Sequence, residues 1–349
     1  MTINSNQPQG VHLVGSVPLE NSQTVFSKAS EILGQHLRRM PDGETGERTN
    51  WISWQKEVFA TTPQLEQVKP RDDDYGRAIP QAKLREGFSA NDINFGPLGY
   101  SAAALASYAD FAQLKAAEAI PANCRFQVCL PTPLAPLQFY IAMENRADIE
   151  PMYEKKLLAE LDEILAAIPA GELAIQWDTA VEFGILEGVF PNHLENPHAG
   201  IMTRLIRLGN RVPAGVELGY HLCYGDSGHR HFVEPQDARL LVNVANEIGA
   251  NLDRPLNWIH LPVPRSRDDD AYFLPLQELR LPSETELYLG LIHMTDGVEG
   301  AEQRIQAAKT AVSHFGIATE CGFGRRPAAT VPELMRVHTA VSTAITHEI

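Results

Sequence analysis

A histidine and a cysteine stand two residues apart at the end of an apolar segment. The segment beginning at Val216 leads into Gly219-Tyr220-His221-Leu222-Cys223. Successive side chains of a β-strand alternate between its two faces, so His221 and Cys223 are expected to point the same way. Near the end of the chain, Cys321 closes a second apolar segment and is followed by glycine. Imidazole and thiolate are ligands that zinc prefers. These three residues therefore predict a zinc site, and such a site can activate a thiol.

The elements that would bring these ligands together follow from the apolar segments. Most of them are followed by residues with apolar positions three and four apart, which is typical of helices. Strands that alternate with helices indicate parallel strands joined by right-handed crossovers. Eight such units predict a single α/β domain over residues 1–349, a closed (β/α)8 TIM barrel. The eight predicted strands are Val11–Ser16, Leu37–Glu44, Arg125–Pro133, Glu172–Asp178, Val216–Cys223, Leu256–Val263, Glu286–His293 and Phe315–Gly322.

Two segments interrupt this alternation. Residues 61–99 are rich in charge, proline and glycine, and we interpret them as a long insertion after the second strand. A second loop, residues 190–200, follows the fourth strand. Long loops after strands are expected on the functional face of a barrel.

Polar or thiol side chains end almost every predicted strand. In a parallel barrel, the carboxyl ends of the strands meet at one face, so residues far apart in sequence become neighbours there. A polar residue where one strand leaves the core needs no function, but the whole set favours a site at this face. The residues are Ser16, Glu44, Asp178, His221, Cys223, His260, His293 and Cys321.

Composition excludes several classes of partner. Lys+Arg 29 against Asp+Glu 44 gives a net charge of −15, which argues against a nucleic-acid or anionic-membrane surface. The sequence lacks the run of roughly 18 apolar residues that a membrane span needs. The polar N-terminus and the four cysteines, too few for a disulfide framework, favour a cytoplasmic protein.

The ordered set of strand-end motifs resembles the C-terminal catalytic barrel of cobalamin-independent methionine synthase. That family lies within the larger group that includes uroporphyrinogen decarboxylase and zinc-dependent corrinoid and coenzyme M methyltransferases. His221-x-Cys223 and Cys321-Gly322 match the family's zinc ligands. Ile292-His293 resembles an Ile-His whose imidazole relays a proton. The resemblance spans the chain as one barrel and implies zinc as the cofactor.

The resemblance also implies how an amino-acid substrate is held. The segment Gly15-Ser16-Val17-Pro18 resembles a motif whose serine binds the substrate carboxylate. The segment Asp42-Gly43-Glu44-Thr45-Gly46-Glu47-Arg48 resembles the family's Gly-Glu-x-x-Arg segment. In the family, the first glutamate of that segment, which matches Glu44, holds the substrate ammonium together with an aspartate that matches Asp178.

The sequence departs from the family at four places, one of which is the third strand, where Cys129-Leu130-Pro131-Thr132-Pro133 replaces the family's Thr-Gly-Pro. The family's fourth zinc ligand is a glutamate on the sixth strand, where this chain has Trp258-Ile259-His260, so His260 is the nearest replacement. Thr179-Ala180 stands where the family has Glu-Pro. The residues that grip the folate methyl donor are not recognisable.

Three hypotheses follow. The first is a zinc-dependent methyl or alkyl transferase that acts on a small thiol or amino-acid-like substrate, is distinct from folate-dependent methionine synthase, and leaves a corrinoid or another methyl donor open. The second is a lyase or decarboxylase on the same barrel. The third is a non-catalytic binder of small molecules whose barrel mouth is filled by the insertion. In the loop after the fifth strand, His229 and His231 could be extra ligands, but the sequence favours a solvated loop.

Overall fold

A curled sheet of seven parallel strands lies at the centre of the fold. The structure is a computed structural model that describes residues 7–72 and 78–345. The strands of this described part are β1 (Arg39–Pro41), β2 (Leu65–Asp72), β3 (Ala78–Leu84), β4 (Arg125–Pro131), β5 (Leu173–Thr179), β6 (Glu217–Leu222), β7 (Trp258–Pro262), β8 (Glu286–Ile292) and β9 (Gly316–Thr319). The large sheet has the order β1-β4-β5-β6-β7-β8-β9, with every neighbouring pair parallel.

Helices surround this sheet, and their amphipathic faces explain why they pack on it. In α8, for example, Leu241, Ala245 and Ile248 are buried at helical spacing. Throughout the described ranges, each helix falls short of the length and apolarity that crossing a membrane would require. The helices are α1 (Ser22–Ile32), α2 (Lys56–Thr61), α3 (Tyr100–Ala116), α4 (Leu134–Tyr140), α5 (Met143–Ala167), α6 (Val181–Leu186), α7 (Pro197–Asn210), α8 (Arg239–Asn251), α9 (Asp270–Phe273), α10 (Gly297–Lys309) and α11 (Val331–Val341).

The N-terminal segment lies between the two edge strands of the sheet. Val11 forms one parallel bridge to Leu37, just before β1, and another to Ile317 of β9. The backbone of His12 donates to the Ile317 carbonyl at 2.9 Å, and Ile317 donates to Gly10 at 3.1 Å. The predicted strand Val11–Ser16 is thus replaced by isolated bridges, because its pairing stops after one residue on each side. The structure confirms the parallel α/β arrangement with seven strands rather than eight.

The predicted insertion contains an antiparallel hairpin, β2–β3, which forms a separate two-stranded sheet. The hairpin is anchored where Ala142 donates its backbone N–H to the Ala82 carbonyl at 2.9 Å. Gln81 adds a side-chain hydrogen bond to the Phe139 carbonyl at 3.4 Å. The insertion is therefore attached to α4 and the start of α5.

Inside the sheet, Gln176 of β5 connects several buried polar groups. Its Nε2 donates to the Val14 carbonyl at 2.5 Å and to Asp178 Oδ1 at 2.8 Å. Its Oε1 lies 2.8 Å from His12 Nε2 and 3.4 Å from Trp258 Nε1. Because both amide protons are committed, Oε1 accepts, and His12 must carry its proton on Nε2.

Candidate metal centre and substrate pocket

A pocket of about 330 Å³ opens where the parallel strands end. Val14, Gly15 and Ser16 of the N-terminal segment contribute to the pocket lining. The carboxyl ends of β5 and β6, and the loops that follow β1, β6 and β9, contribute the rest of the residues named below. Of the side chains predicted from strand ends, the pocket lining includes Ser16, Glu44, Asp178, His221, Cys223 and Cys321.

Strand register explains why distant residues meet here. Asp178 on β5 pairs with His221 on β6, which pairs with His260 on β7. Residues in register on adjacent parallel strands lie side by side and face the same way. All three side chains are buried.

His221, Cys223 and Cys321 form a compact set of ligand-type side chains. Their ligand atoms all lie within 4.8 Å of one another. The two sulfur atoms are 3.9 Å apart. Two thiolates held by zinc at about 2.3 Å in a tetrahedron are separated by roughly 3.8 Å. The spacing of the thiols therefore fits one zinc ion.

Hydrogen bonds set the tautomer of His221. His260 Nε2 lies 3.0 Å from the Thr319 carbonyl, which can only accept, so this nitrogen carries a proton. Burial lowers the pKa of His260 to about 3, so the ring is neutral and its Nδ1 is a lone-pair acceptor. His221 Nδ1, 2.7 Å away, must then donate to it.

The remaining nitrogen of His221, Nε2, is left with a free lone pair. It is buried and has no hydrogen-bond partner within residues 7–72 and 78–345. An orphaned buried acceptor beside two thiols fits a metal ligand, since such atoms are otherwise costly to bury. Both ring nitrogens of His260 are already engaged, so this geometry does not support His260 as a fourth ligand and gives it an orienting position instead.

The two thiols differ in acidity. The hydrogen bond that Cys223 donates lowers the pKa of Cys321; burial opposes the shift and the nearby Arg325 guanidinium assists it. The same bond, together with burial, raises the pKa of Cys223. Arg325 Nη1 lies 4.0 Å from the Cys321 sulfur. The pair is thus arranged so that Cys321 carries the first thiolate.

Glu44 and Asp178 bring two carboxyl groups to the pocket. Burial, the dominant cause, raises the pKa of Glu44 to about 7; Arg48 opposes the shift and Asp42 adds to it. The pKa of Asp178 is raised well above its usual value by burial and then by the charge of Glu44. Arg48 itself donates to Asp42 at 2.6 Å. Two like charges in one buried place favour a bound cation or a shared proton.

Ser16 joins the N-terminal segment to the turn after β9. Its Oγ accepts from the Gly324 backbone at 3.2 Å, and its carbonyl accepts from Phe323 at 2.6 Å. A Cβ on Gly322 would stand only 2.4 Å from the Ser16 Oγ. The residue directly after Cys321 must therefore be small.

His293 lies outside the pocket lining, next to a buried acid that sequence reasoning missed. Its Nε2 donates to the Val263 carbonyl at 2.9 Å, and its Nδ1 lies 3.5 Å from Glu320. Burial raises the pKa of Glu320, but hydrogen bonds and charge interactions with His231 and His293 together outweigh it and hold this pKa well below its usual range. The position of Glu320 directly before Cys321 was the available signal.

His231 corrects the interpretation of its loop as solvated. The residue is buried, and its Nε2 lies 3.2 Å from Glu320. Burial lowers the pKa of His231, but hydrogen bonds with Glu234 and Glu320 outweigh it and raise the pKa to about 9. His229 is exposed, as predicted for both histidines. His231 thus attaches the loop after β6 to the residue before Cys321.

Asp226 and Arg325 form the other charged part of the pocket. Asp226 is buried, and its Oδ2 lies 3.7 Å from Arg325 Nη1. Burial, reinforced by the charge of Glu320, raises the pKa of Asp226, while Arg325 opposes the shift. Arg325 is the one arginine in the described lining of the pocket.

Comparison with known proteins supports the fold. No family model matches the chain, and no curated protein sequence matches it. A protein from Listeria monocytogenes, provisionally named a vitamin-B12-independent methionine synthase, shares 15% identity with a TM-score of 0.57, over 96% of this chain and 98% of its own. A methyltransferase from Methanosarcina mazei shares 10% identity with a TM-score of 0.53, over 97% of this chain and 94% of its own. The chain therefore shares an overall fold with both structures.

Proposed function

We propose that this chain is a zinc-dependent transferase that moves a methyl or other alkyl group to or from a thiol. The observation that carries the proposal is the cluster of His221, Cys223 and Cys321, with its 3.9 Å sulfur separation and the orphaned Nε2 of His221. The shared fold with a protein named a methionine synthase and with a methyltransferase is consistent with it. We infer further that the fold is a one-domain (β/α)8 barrel in which the segment around Val11 takes the eighth position.

Each of the three proposed ligands, His221, Cys223 and Cys321, would bind the metal through one side-chain atom. Cys321 supplies a thiolate whose pKa is already lowered, and Cys223 supplies the second sulfur. His221 presents a lone pair fixed by its hydrogen bond to His260. When bound, zinc lowers the pKa of a coordinated thiol, so that the substrate sulfur is nucleophilic at neutral pH. Three protein ligands leave one position for that sulfur.

Glu44 and Asp178 would hold the ammonium of an amino-acid-like thiol. Their mutual repulsion is relieved when a cation binds between them, which lowers the pKa of both groups. Ser16 would orient the substrate carboxylate, although its Oγ already accepts from Gly324 and so offers its proton as the donor. Such a clamp positions the thiol relative to the ligand cluster.

The transfer itself would form a bond between the substrate sulfur and the alkyl carbon while the bond from that carbon to the donor breaks. The donor leaves with the electron pair and takes up a proton. His293 is our proposed proton source, and Glu320 would stabilise its charged form. Because His293 is outside the described pocket lining, the proton would have to pass through water or a moved side chain.

Elemental analysis of protein purified without chelator tests the metal site. We expect about one zinc per chain in the wild type and its loss in Cys223→Ser and Cys321→Ser, because each removes a thiolate ligand. Cys124→Ser, at a cysteine outside the pocket lining, is the matched control and should retain the metal. A wild-type protein that folds normally but takes up no zinc, even when zinc is supplied, would exclude the proposal.

A further inference from the structure

Three phenylalanines from three different segments form a continuous wall of the pocket. They are Phe139 of α4, Phe190 after α6 and Phe232 after β6. The rings of Phe139 and Phe190 meet edge to face at 6.3 Å, and those of Phe190 and Phe232 are 5.0 Å apart. All three rings are only partly buried, so part of each faces the cavity. We call these three residues the aromatic wall.

Backbone contacts fix the central ring of the aromatic wall. Phe190 lies against Gly184, where an added Cβ would stand 2.2 Å from the ring. The backbone N–H groups of Val189 and Phe190 both donate to the Gly184 carbonyl at 2.9 Å. Because Gly184 has no side chain, the Phe190 ring can pack directly against its backbone, which holds the ring in place.

The hairpin adds further apolar surface to the pocket. Ile79 and Pro80 of β3 line the same cavity, as does Trp51. The hydrogen bond from Gln81 to the Phe139 carbonyl ties this hairpin to the aromatic wall. Rigid aromatic and aliphatic surfaces of this kind bind apolar groups because little order is lost on binding.

The charges of the cavity argue against a polyanionic ligand. Only two cations, Lys56 and Arg325, are present in the described lining. Arg325 lies close to both Asp226 and Cys321, so its charge is partly balanced by these neighbours. The lining also contains the acidic residues Glu44 and Asp178. A polyanion needs several convergent cations, which this lining does not provide.

We propose that the aromatic wall is a specificity subsite for an uncharged aromatic or branched apolar group, about the size of a substituted phenyl ring, on one of the two reacting molecules. This inference rests on the proposed function, since it treats the pocket as a site for thiol and alkyl substrates. The subsite excludes long charged substrates and selects small, apolar ones.

Calorimetric titration with small probes tests the subsite. Zinc-loaded protein is titrated with phenylmethanethiol and with 2-mercaptoethanol, a polar thiol of similar acidity class. We expect phenylmethanethiol to bind at least about tenfold more tightly, because its ring contacts the aromatic wall. Phe190→Ala, and Gly184→Ala, which displaces the ring without removing it, should abolish this preference. Phe88→Ala, at an exposed phenylalanine outside the pocket lining, should preserve it.

Benzyl alcohol separates failure of the subsite from failure of the metal proposal. It carries the ring without a thiol, so we expect it to bind zinc-loaded and chelator-treated protein equally, and to lose that binding in Phe190→Ala. If benzyl alcohol behaves this way while neither thiol responds to zinc, the subsite stands and the metal proposal fails. Equal affinity for the two thiols, tighter binding of the anion mercaptoacetate, or benzyl binding unaffected by Phe190→Ala and Gly184→Ala in folded variants would overturn the subsite.

Discussion

At the scale of single residues, the main result is that His260 orients His221 and sets its tautomer. His260 occupies the place where sequence comparison suggested a ligand, but its two nitrogens contact the Thr319 carbonyl and His221 Nδ1. This arrangement fixes the ring and the tautomer of His221 before any metal arrives. Groups that orient a ligand in this way commonly change metal affinity by roughly 10–100-fold.

Replacing His260 with leucine should therefore weaken zinc binding without removing a ligand. We expect an affinity loss of roughly 10–100-fold, measured by competition with a chromophoric chelator, because His221 is then free to adopt either tautomer. Nitrogen-15 NMR of the metal-free wild type should show His221 protonated at Nδ1.

His338→Leu is the matched control. His338 is also fully buried and also hydrogen-bonded to a backbone carbonyl, that of Leu334, but it lies outside the pocket lining. It should lose stability and keep the zinc affinity. An unchanged affinity in His260→Leu would show that the hydrogen bond between the two histidines has no such role.

Residue types and their order were enough to predict which side chains meet at the pocket, apart from His260 and His293. The buried pair of Glu320 and His231 beside Cys321 was not predicted, because its burial depends on a loop that only folding brings across the strand ends. The aromatic wall was missed for the same reason. Its three members are far apart in sequence and follow no spacing.

At the scale of elements, the turn after β9 and the N-terminal segment are packed together without spare space. Gly322 leaves no room for a side chain because Ser16 Oγ and Ser16 N would lie 2.4 and 3.0 Å from its Cβ. Because the adjacent residue is Cys321, the position of one thiol depends on this contact.

Gly322→Ala should consequently lower both stability and zinc affinity. We expect a loss of about 1–3 kcal/mol in the free energy of unfolding from overpacking, with weaker metal binding as the turn shifts. Denaturant unfolding and the chelator competition measure the two effects. Gly96→Ala is the control, since no atom of the described residues lies within 4 Å of a Cβ placed there, and it should change stability by less than about 0.5 kcal/mol. Normal zinc affinity in Gly322→Ala would mean that the turn does not position Cys321.

The strands of the sheet were predicted within a few residues, because buried parallel strands are nearly continuous apolar runs. The prediction of a strand at Val11–Ser16 was wrong. Apolar composition in Val11–Val14 reflects burial of this segment, but its backbone forms single bridges to Leu37 and Ile317 instead of a ladder. The hairpin within residues 61–99 was also not predicted, because β2 is largely polar and mostly exposed towards its end.

At the scale of the whole molecule, a buried acid links stability to pH. Glu182 is buried, accepts from Thr132, and has one oxygen without a partner among the residues described here. Burial outweighs the Thr132 hydrogen bond and raises its pKa to about 7. The folded state therefore keeps a proton on Glu182 that the unfolded state loses from pH 4.5 upward. The contribution of Glu182 to the free energy of unfolding therefore falls as the pH rises from 4.5 to about 7.

Glu182→Gln should stabilise the protein at pH 8 and change little at pH 4. Glutamine mimics the protonated acid, so we expect the free energy of unfolding at pH 8 to rise by roughly 1–3 kcal/mol. Thermal and denaturant unfolding at the two pH values measure the difference. Glu284→Gln, at an exposed carboxyl, should show no such pH dependence. A variant equally affected at both pH values would indicate lost packing rather than a titrating proton.

Gln176 connects the pocket residue Asp178 to residues in the interior of the sheet. Its side-chain oxygen accepts hydrogen bonds from the indole of Trp258 and from His12, and its nitrogen donates one to Asp178. The orientation of a carboxyl at the cavity is thus mechanically coupled to aromatic rings in the interior of the sheet. Substitutions of Trp258, which lies outside the pocket lining, should be detectable as altered binding of the ammonium group that we propose lies between Glu44 and Asp178.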